Sequence, residues 1–342
     1  MPPKQPTLQD VADAAGVSLA TASRAINGSA RIVTPELRDR VLASATKLGY
    51  VSNAPAQALA RSTTSIVGVI VHDIADPYYA TISASLMRVA YDHDLLVLLA
   101  DTSRRPELVM EYIRRLRAQR ARAVVLGGSG FRTRQYQEAL AAETAALTAS
   151  GTLLVCLGEH TGPADVVQPE NADGARQAAE HLIGLGHTEI GIIAGPRDLT
   201  VSKVRLDAFR QAAGVEIGDD RVVVGDFDRD GGRRAALELM RREPTLTAII
   251  GLNDLMAAGA LTALTDDLGL RVPDDVSVVG FDDISVATDV RPRLTTVRLP
   301  LEQIGEVAVQ LILEPSQTGP RTVRLPAQLV VRDSTAAPRV PA

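Results

Sequence analysis

Thr7-Leu8-Gln9-Asp10-Val11-Ala12-Asp13-Ala14-Ala15-Gly16-Val17-Ser18-Leu19-Ala20-Thr21-Ala22-Ser23-Arg24-Ala25-Ile26-Asn27 spells out two short helices and the turn between them. Thr7 is an N-cap with Asp10 at the capping-box position, Asp standing in for Glu, and Leu8, Val11, Ala12 and Ala15 recur at helical spacing. Gly16 breaks that helix. Ser18 offers a second cap, and Ala22, Ala25 and Ile26 line a second helix that ends near Asn27-Gly28. Two helices joined by a Gly-Val turn form the helix-turn-helix pattern. A third helix is predicted from Thr34-Pro35, with Leu37, Val41, Leu42, Ala45 and Leu48 on one face and a stop at Gly49. Three such helices suffice for a small core.

Working outward, Asn53-Ala54-Pro55-Ala56-Gln57-Ala58-Leu59-Ala60-Arg61 has a cap, a Pro near its first turn and an Ala-rich run. At about two turns it is too short to hold in water alone, so it should fold only against another surface. Ser62-Thr63-Thr64-Ser65 reads as a linker. Beyond it, short Val/Ile/Leu runs alternate with amphipathic stretches. The runs are Ile66 to Val71, Leu95 to Ala100, Ala123 to Gly127, Leu153 to Leu157, Ile190 to Ala194, Val222 to Val224, Ala248 to Gly251 and Val276 to Gly280. Helical patterns between them include Tyr78 to Tyr91, Glu107 to Arg120, Ala172 to Leu185, Val204 to Ala213, Gly232 to Arg241 and Leu255 to Leu268. Near-continuous apolar strands with helical crossovers mean parallel sheets covered on both faces, an α/β body behind an all-α head. The stretch from Gly158 to Glu170 has no helical pattern and suits a crossing between two lobes.

The 342 residues exceed what one core usually supports. The N-terminus carries no apolar run behind its charge and no stretch is long and apolar enough for a membrane span, so a cytoplasmic location is expected. Cys156 lies in an apolar run and reads as a core thiol. The net charge of −5 is uneven: Met1 to Arg61 holds seven Lys/Arg against four Asp/Glu, leaving 29 against 37 for the rest. A basic head that meets phosphate and an acidic body that does not is the consequence.

In open α/β sheets ligands bind beyond the carboxyl ends of the strands. Those positions hold Asp73, Asp76, Tyr78 and Tyr79, then Asp101, Ser103, Ser129, Glu159 and Arg197, and then Asp226, Phe227, Asn253, Asp254, Phe281, Asp282 and Asp283. Aromatic faces among carboxylates, amides and cations suit a polyhydroxylated or heterocyclic small molecule. The structural alternatives stand beside this reading: Asp254 as a helix cap, and Tyr78-Tyr79 as core packing. Catalytic signatures are missing. No G-x-G-x-x-G follows a strand, no Walker motif occurs, and Gly127-Gly128-Ser129-Gly130-Phe131 fails the G-x-S-x-G elbow at its last position. His72, His93, His160, His181 and His187 show no metal-ligand spacing, so surface or packing roles are expected and no metal or cofactor is called for. Adjacent Asp282-Asp283 should point apart, which favours hydrogen-bond acceptance over paired acid-base work.

The opening segment resembles the signature of the lactose-repressor (LacI/GalR) family. Further marks are Asp76-Pro77-Tyr78-Tyr79, His181-Leu182 with Leu185-Gly186-His187, Ala194-Gly195-Pro196, Val272-Pro273-Asp274-Asp275-Val276-Ser277-Val278-Val279-Gly280-Phe281-Asp282, Leu294-Thr295-Thr296-Val297 and Val331-Arg332-Asp333-Ser334-Thr335. The resemblance implies a homodimer with a DNA-binding head at 1–52, a hinge helix and linker at 53–64, and a two-lobed, periplasmic-binding-protein-like core at 65–342. Lobe 1 would take about 65–167 and 298–327, and lobe 2 about 168–297 and 328–335. It implies that the helix from Ser18 enters the major groove of operator DNA. Leu19 and Ala20 would fall at base-reading positions, where they can touch a thymine methyl, and Arg24 would pair bidentately with guanine. Thr7, Ser18, Thr21, Ser23 and Asn27 would contact phosphate or cap helices. Ala56 and Leu59 would belong to the hinge, with Leu59 wedged into the minor groove. By the same likeness Tyr78, Tyr79, Lys203, Arg205, Phe227, Asn253 and Asp282 would surround an effector. Purine-binding relatives carry Arg and Thr where Leu199 and Val201 stand, so a sugar or sugar derivative is favoured over a purine or other metabolite. Lys203 in place of an Arg, and Gly158-Glu159 where many members carry Asp or Arg, are departures. The expected function is a ligand-responsive, non-enzymatic regulator, most simply a repressor of a carbohydrate-related operon. The rivals are an exported solute-binding protein, opposed by the basic head, and an enzyme on a Rossmann-like fold.

Overall fold

The computed structural model describes residues 6–27, 33–50, 64–160 and 162–339. The segment expected to form the hinge, with Ala56 and Leu59, lies outside these residues, as does the side chain of Asn27. The chain divides into two compact units, Met1–Thr64 and Ser65–Ala342.

The head consists of α1 (Leu8–Ala15), α2 (Leu19–Asn27) and α3 (Pro35–Leu48). The capping box forms as written: Thr7 N donates to Asp10 Oδ2 at 2.7 Å and Asp10 N donates to Thr7 Oγ1 at 3.3 Å. Gly16 ends α1 in the left-handed region at φ 64°, where a Cβ would be strained, and so turns the chain into α2. Ser18 caps α2 by accepting Thr21 N at 3.1 Å. Val11, Ala12, Ala15, Ala22, Ala25, Val41 and Ala45 form the core. Thr34 stands at the N-cap of α3 but makes no side-chain cap bond. Leu42 and Leu48 are 40% and 37% exposed, against the expected five-residue face. An alanine-rich core covers a narrow stripe, and Leu42 lies about 100° around the helix from Val41.

The body is built on two parallel sheets. The first has the order β11-β5-β4-β3-β1-β2. Its strands are β1 (Ile66–Val71), β2 (Leu96–Asp101), β3 (Ala123–Gly127), β4 (Leu153–Leu157), β5 (Asp165–Pro169) and β11 (Thr322–Leu325). It carries α4 (Pro77–Asp92), α5 (Pro106–Ala118), α6 (Arg134–Ser150) and α12 (Leu301–Leu313). The second sheet has the order β7-β6-β8-β9, from β6 (Ile190–Ala194), β7 (Val222–Val224), β8 (Ala248–Gly251) and β9 (Ser277–Val279). Around it stand α7 (Asn171–Gly184), α8 (Thr200–Ala213), α9 (Arg229–Arg242) and α10 (Asp254–Thr262), with the short α11 (Val286–Asp289) nearby. An antiparallel ribbon of β10 (Thr296–Arg298) and β12 (Gln328–Val330) joins the two.

All eight expected strands exist, two with ends shifted by a residue. Gly158 to Glu170 is not merely a crossing, because it contains β5, which pairs with β4 on one side and β11 on the other. Interior strands are dry: β3 and β6 are buried at every position, as strands covered on both faces must be. Cys156 is buried, and burial pushes its thiol up to about 12, so it is a packing residue.

Candidate effector cleft and DNA-reading face

On the head, α2 turns Ala22 and Ala25 into the core and leaves Ser18, Leu19 and Ala20 exposed, with Thr21, Ser23 and Arg24 half-buried beside them. Leu19 is 46% exposed, an apolar side chain held at the start of a helix. Two of the expected phosphate contacts already serve as caps: Thr7 closes α1, and Ser18 Oγ lies 2.8 Å from Thr21 Oγ1.

In the body, a cleft of about 500 Å³, open mouth included, lies between the carboxyl ends of the two sheets. One side is fastened by backbone. Phe131 and Leu199 form an antiparallel bridge, Arg132 N donates to Asp198 O at 2.7 Å, and Thr200 N and Oγ1 donate to Gly130 O at 3.0 and 2.8 Å. Val201 N completes the fastening with a 3.1 Å bond to Ser129 Oγ. The turn behind it is held by two imidazoles, one buried and one half-buried. A carbonyl only accepts, so the proton sits on Nε2 in both: His72 donates to Ser129 O at 2.9 Å and His160 to Gly128 O at 2.6 Å. Burial lowers the pKa of both rings, that of His160 to about 4, and keeps them neutral. Gly128 (φ 90°) lets this turn pass Tyr79, whose hydroxyl would lie 2.7 Å from a Cβ there.

The polar heart of the cleft is Arg205, 3% exposed. Its Nε donates to Asn171 Oδ1 at 2.9 Å, Nη1 to Leu252 O at 2.6 Å and Nη2 to Asp282 Oδ1 at 2.7 Å, and its guanidinium lies 3.8 Å over the Phe281 ring. Asn171 Nδ2 then donates to Glu159 Oε1 at 2.8 Å, so one chain of bonds runs from Asp282 after β9 to Glu159 after β4. Both carboxylates keep an oxygen in reserve: Glu159 Oε2 is buried with no partner, and Asp282 Oδ2 has no hydrogen bond among the described residues. Burial raises the Asp282 carboxyl to about 7 against the opposing pull of Arg205. Asp76 caps α4 by accepting Tyr78 N at 2.9 Å, and its carboxyl too is raised by burial. Tyr78 and Tyr79 meet edge to face at 5.0 Å, both line the cleft, and neither hydroxyl has a hydrogen bond among the described residues. Phe227 and Asn253 face them from the second sheet. Asn253 is already engaged, taking Met256 N at 2.8 Å as the cap of α10 and donating to Phe227 O at 3.1 Å.

Six of the seven expected effector residues, Tyr78, Tyr79, Arg205, Phe227, Asn253 and Asp282, therefore line one cleft. Lys203 does not. It lies two residues before Arg205 on α8, about 200° around the helix, where it pairs with Asp207 on the exposed face. Asp254 neither caps α10 nor lines the cleft. It is fully buried, accepts Ile284 N at 2.8 Å and Thr296 Oγ1, and braces the turn that presents Asp282. Asp282 and Asp283 both have positive φ (107° and 56°) and point apart, Asp283 pairing with Arg298 and Arg332. His72, Arg104 and Asn171 are lining residues that the sequence did not single out. His72 and Arg104 each adjoin a chosen strand-end position, and Asn171 starts the helix after the stretch read as a crossing. Among the described residues no cluster of His, Cys, Asp or Glu could hold a metal ion, and no helix is long and apolar enough to cross a membrane.

Residues 7–53 match the family described as bacterial regulatory proteins, lacI family, and residues 179–335 match the periplasmic binding protein-like domain. The transcriptional regulator GalS of Salmonella typhimurium is 35% identical over 311 residues, covering 90% of this chain and 89% of its own length. The chain belongs to the lacI family of bacterial regulatory proteins. As a member it is a ligand-responsive, DNA-binding transcriptional regulator. The regulator superposes on the lac repressor dimer bound to operator and the anti-inducer ONPF with a TM-score of 0.84 at 28% identity, over 98% of this chain and 100% of that one. A complex of the transcriptional regulator CelR with cellobiose is 33% identical, with a TM-score of 0.68 over 96% and 99% of the two chains.

Proposed function

We propose that this regulator represses a carbohydrate-related operon as a cytoplasmic homodimer on a near-palindromic operator and is released by a neutral or amino sugar. The observation that carries the effector class is the pair of carboxylate oxygens without a hydrogen bond among the described residues, Asp282 Oδ2 and Glu159 Oε2, in a cleft whose central arginine already gives three bonds to protein acceptors. These oxygens can accept from sugar hydroxyls or an ammonium group, and the hydroxyls of Tyr78 and Tyr79 can donate back to sugar oxygens. A sugar phosphate or sugar acid would instead meet the carboxyls of Asp76, Glu159 and Asp282. Leu199 and Val201 offer no polar group to a purine edge. The cellobiose complex of a similar regulator is consistent with this class.

On the DNA side Arg24 would recognise guanine, Leu19 and Ala20 would make apolar base contacts, and Thr7, Ser18, Thr21, Ser23 and Asn27 would hold the backbone. Residues 1–52 would form the head, 53–64 the hinge with Ala56 and Leu59 in the minor groove, and the rest the two lobes. For the dimer, the edge strand β2 exposes Leu96, Leu98 and Leu99, and α4 adds Met87 and Tyr91, the latter 82% exposed. An apolar patch of this kind suits an isologous contact. Fluorescence anisotropy on a palindromic fragment from upstream of its own gene, with a panel of sugars, tests the whole reading. Salt-sensitive binding relieved by a neutral or amino sugar and abolished by Arg24→Ala is the expected result. Absence of binding to any fragment, with or without ligand, would refute it.

A further inference from the structure

A second depression, sharing no residue with the effector cleft, lies on the flank of the second sheet and encloses about 640 Å³, open mouth included. Its floor is apolar, made by Val222 and Val224 of β7, Ala194 of β6 and Leu206 of α8. Its rim carries four cations, Arg132, Arg197, Lys203 and Arg210, against the carboxylates of Asp207 and Asp219. Two pairs are already made, Lys203 with Asp207 and Arg210 Nη2 with Asp219 Oδ1. What remains uncommitted can donate. Ser202 is 3% exposed and its Oγ, like Arg210 Nε, is buried without a partner. Arg197 makes no side-chain hydrogen bond among the described residues, and Arg132 gives only Nη1, at 3.2 Å, to the carbonyl of Arg197. Buried donors without acceptors are destabilising, and the oxygens of one anion would satisfy several together.

We propose that this groove binds a small organic phosphate monoester, its apolar body on the valine and leucine floor and its dianion among Ser202, Arg197, Arg210 and Arg132. Arg132 comes from the loop after β3, whereas the other rim residues come from the second sheet and its helices, so the bound anion ties the two lobes together. Such a tie would bear on any movement of the lobes about a sugar held in the cleft between them; that consequence rests on the proposed function, whereas the binding itself does not.

Isothermal titration of the full-length protein with phenyl phosphate tests the site, with benzyl alcohol as the uncharged arm and inorganic phosphate as the bodiless one. One saturable site per chain is expected, tighter than for inorganic phosphate and absent for benzyl alcohol. Arg197→Ala and Arg132→Ala should each weaken it about tenfold or more. Ser202→Ala removes only a buried hydroxyl that has no protein partner, so it should weaken binding while the Tm stays the same or rises, which separates lost binding from lost fold. No saturable heat, or equal binding of benzyl alcohol, overturns the proposal. So does an affinity unchanged in Arg197→Ala and Ser202→Ala, because the anion would then be held elsewhere, such as the basic head. Weakening by those two but not by Arg132→Ala overturns the tie between lobes. The sugar panel on operator DNA reads the other site, so either proposal can fail alone.

Discussion

Asp282 is caught between burial, which favours its acid form, and Arg205, which favours the carboxylate, and the balance leaves it at about 7. Asp76, itself raised by burial, adds to the pressure toward protonation. Two opposite pH effects follow. A sugar hydroxyl needs the carboxylate as acceptor, so affinity for the effector should rise from pH 6 to pH 8, by about tenfold if only the ionised form binds, with proton release near neutrality. Stability runs the other way: the folded carboxyl lies above its usual 3.8, so the proton's stabilising contribution is complete below that value and is lost as pH rises through about 7. Asp282→Asn keeps an acceptor for Arg205 and should flatten the affinity profile and reduce the Tm slope. Calorimetry in buffers of different ionisation enthalpy checks the first effect, and a pH-independent affinity in the parent protein would sink it. The strand-end rule was enough to find Tyr78, Tyr79, Phe227, Asn253 and Asp282 in the sequence. Lys203 was misplaced because the side of α8 facing the cleft depends on tertiary packing, and Asn171 was missed because it acts through Arg205 and Glu159.

The elements that could be read from the sequence are those whose local chemistry and burial agree. The head helices carried caps and a Gly stop, and the interior strands were continuous apolar runs. β5, with only Val166 and Val167 as apolar residues before Pro169, and β11, an edge strand of alternating exposure, gave no such signal. β10 and β12 are three residues each and pair with each other, with β10 also bridged to the Asp282 segment, contacts that no local pattern announces. Caps offer a direct test of how local the head's stability is. Thr7→Ala removes both the side-chain acceptor for Asp10 N and the hydroxyl bonded to Asp10 Oδ2. It should cost the head about 1 kcal/mol, seen as an earlier head transition in differential scanning calorimetry with the body transition unmoved. A body transition that falls equally would mean the two units do not melt independently.

For the molecule as a whole, alternating strand and helix signals disclosed an α/β body, and the charge asymmetry disclosed a head of different purpose. The assembly was less visible, because exposed leucines on an edge strand look like any other strand until their burial is known. Leu98→Lys tests that surface. Leu98 is 41% exposed, so the fold should survive while sedimentation shows a monomer. Operator affinity should then fall on the order of a hundredfold, since each head binds alone. A dimer that persists would place the interface elsewhere. The path of the chain has a last consequence. The first sheet is not finished by the residues that begin it: β11 joins β5 from near the end of the chain, and α12 covers α4, with Ser85 Oγ bonded to Glu302 O at 2.7 Å and Gly305 against the backbone of Ile82. On the ribosome, the earliest part of the body must wait, its apolar flank bare, until residues 301–325 have emerged. A chain stopped before Leu301 would carry the effector-cleft residues from Tyr78 to Asp282 and yet lack both the strand and the helix that close the first sheet, so synthesis past Leu325 is the condition for a covered body.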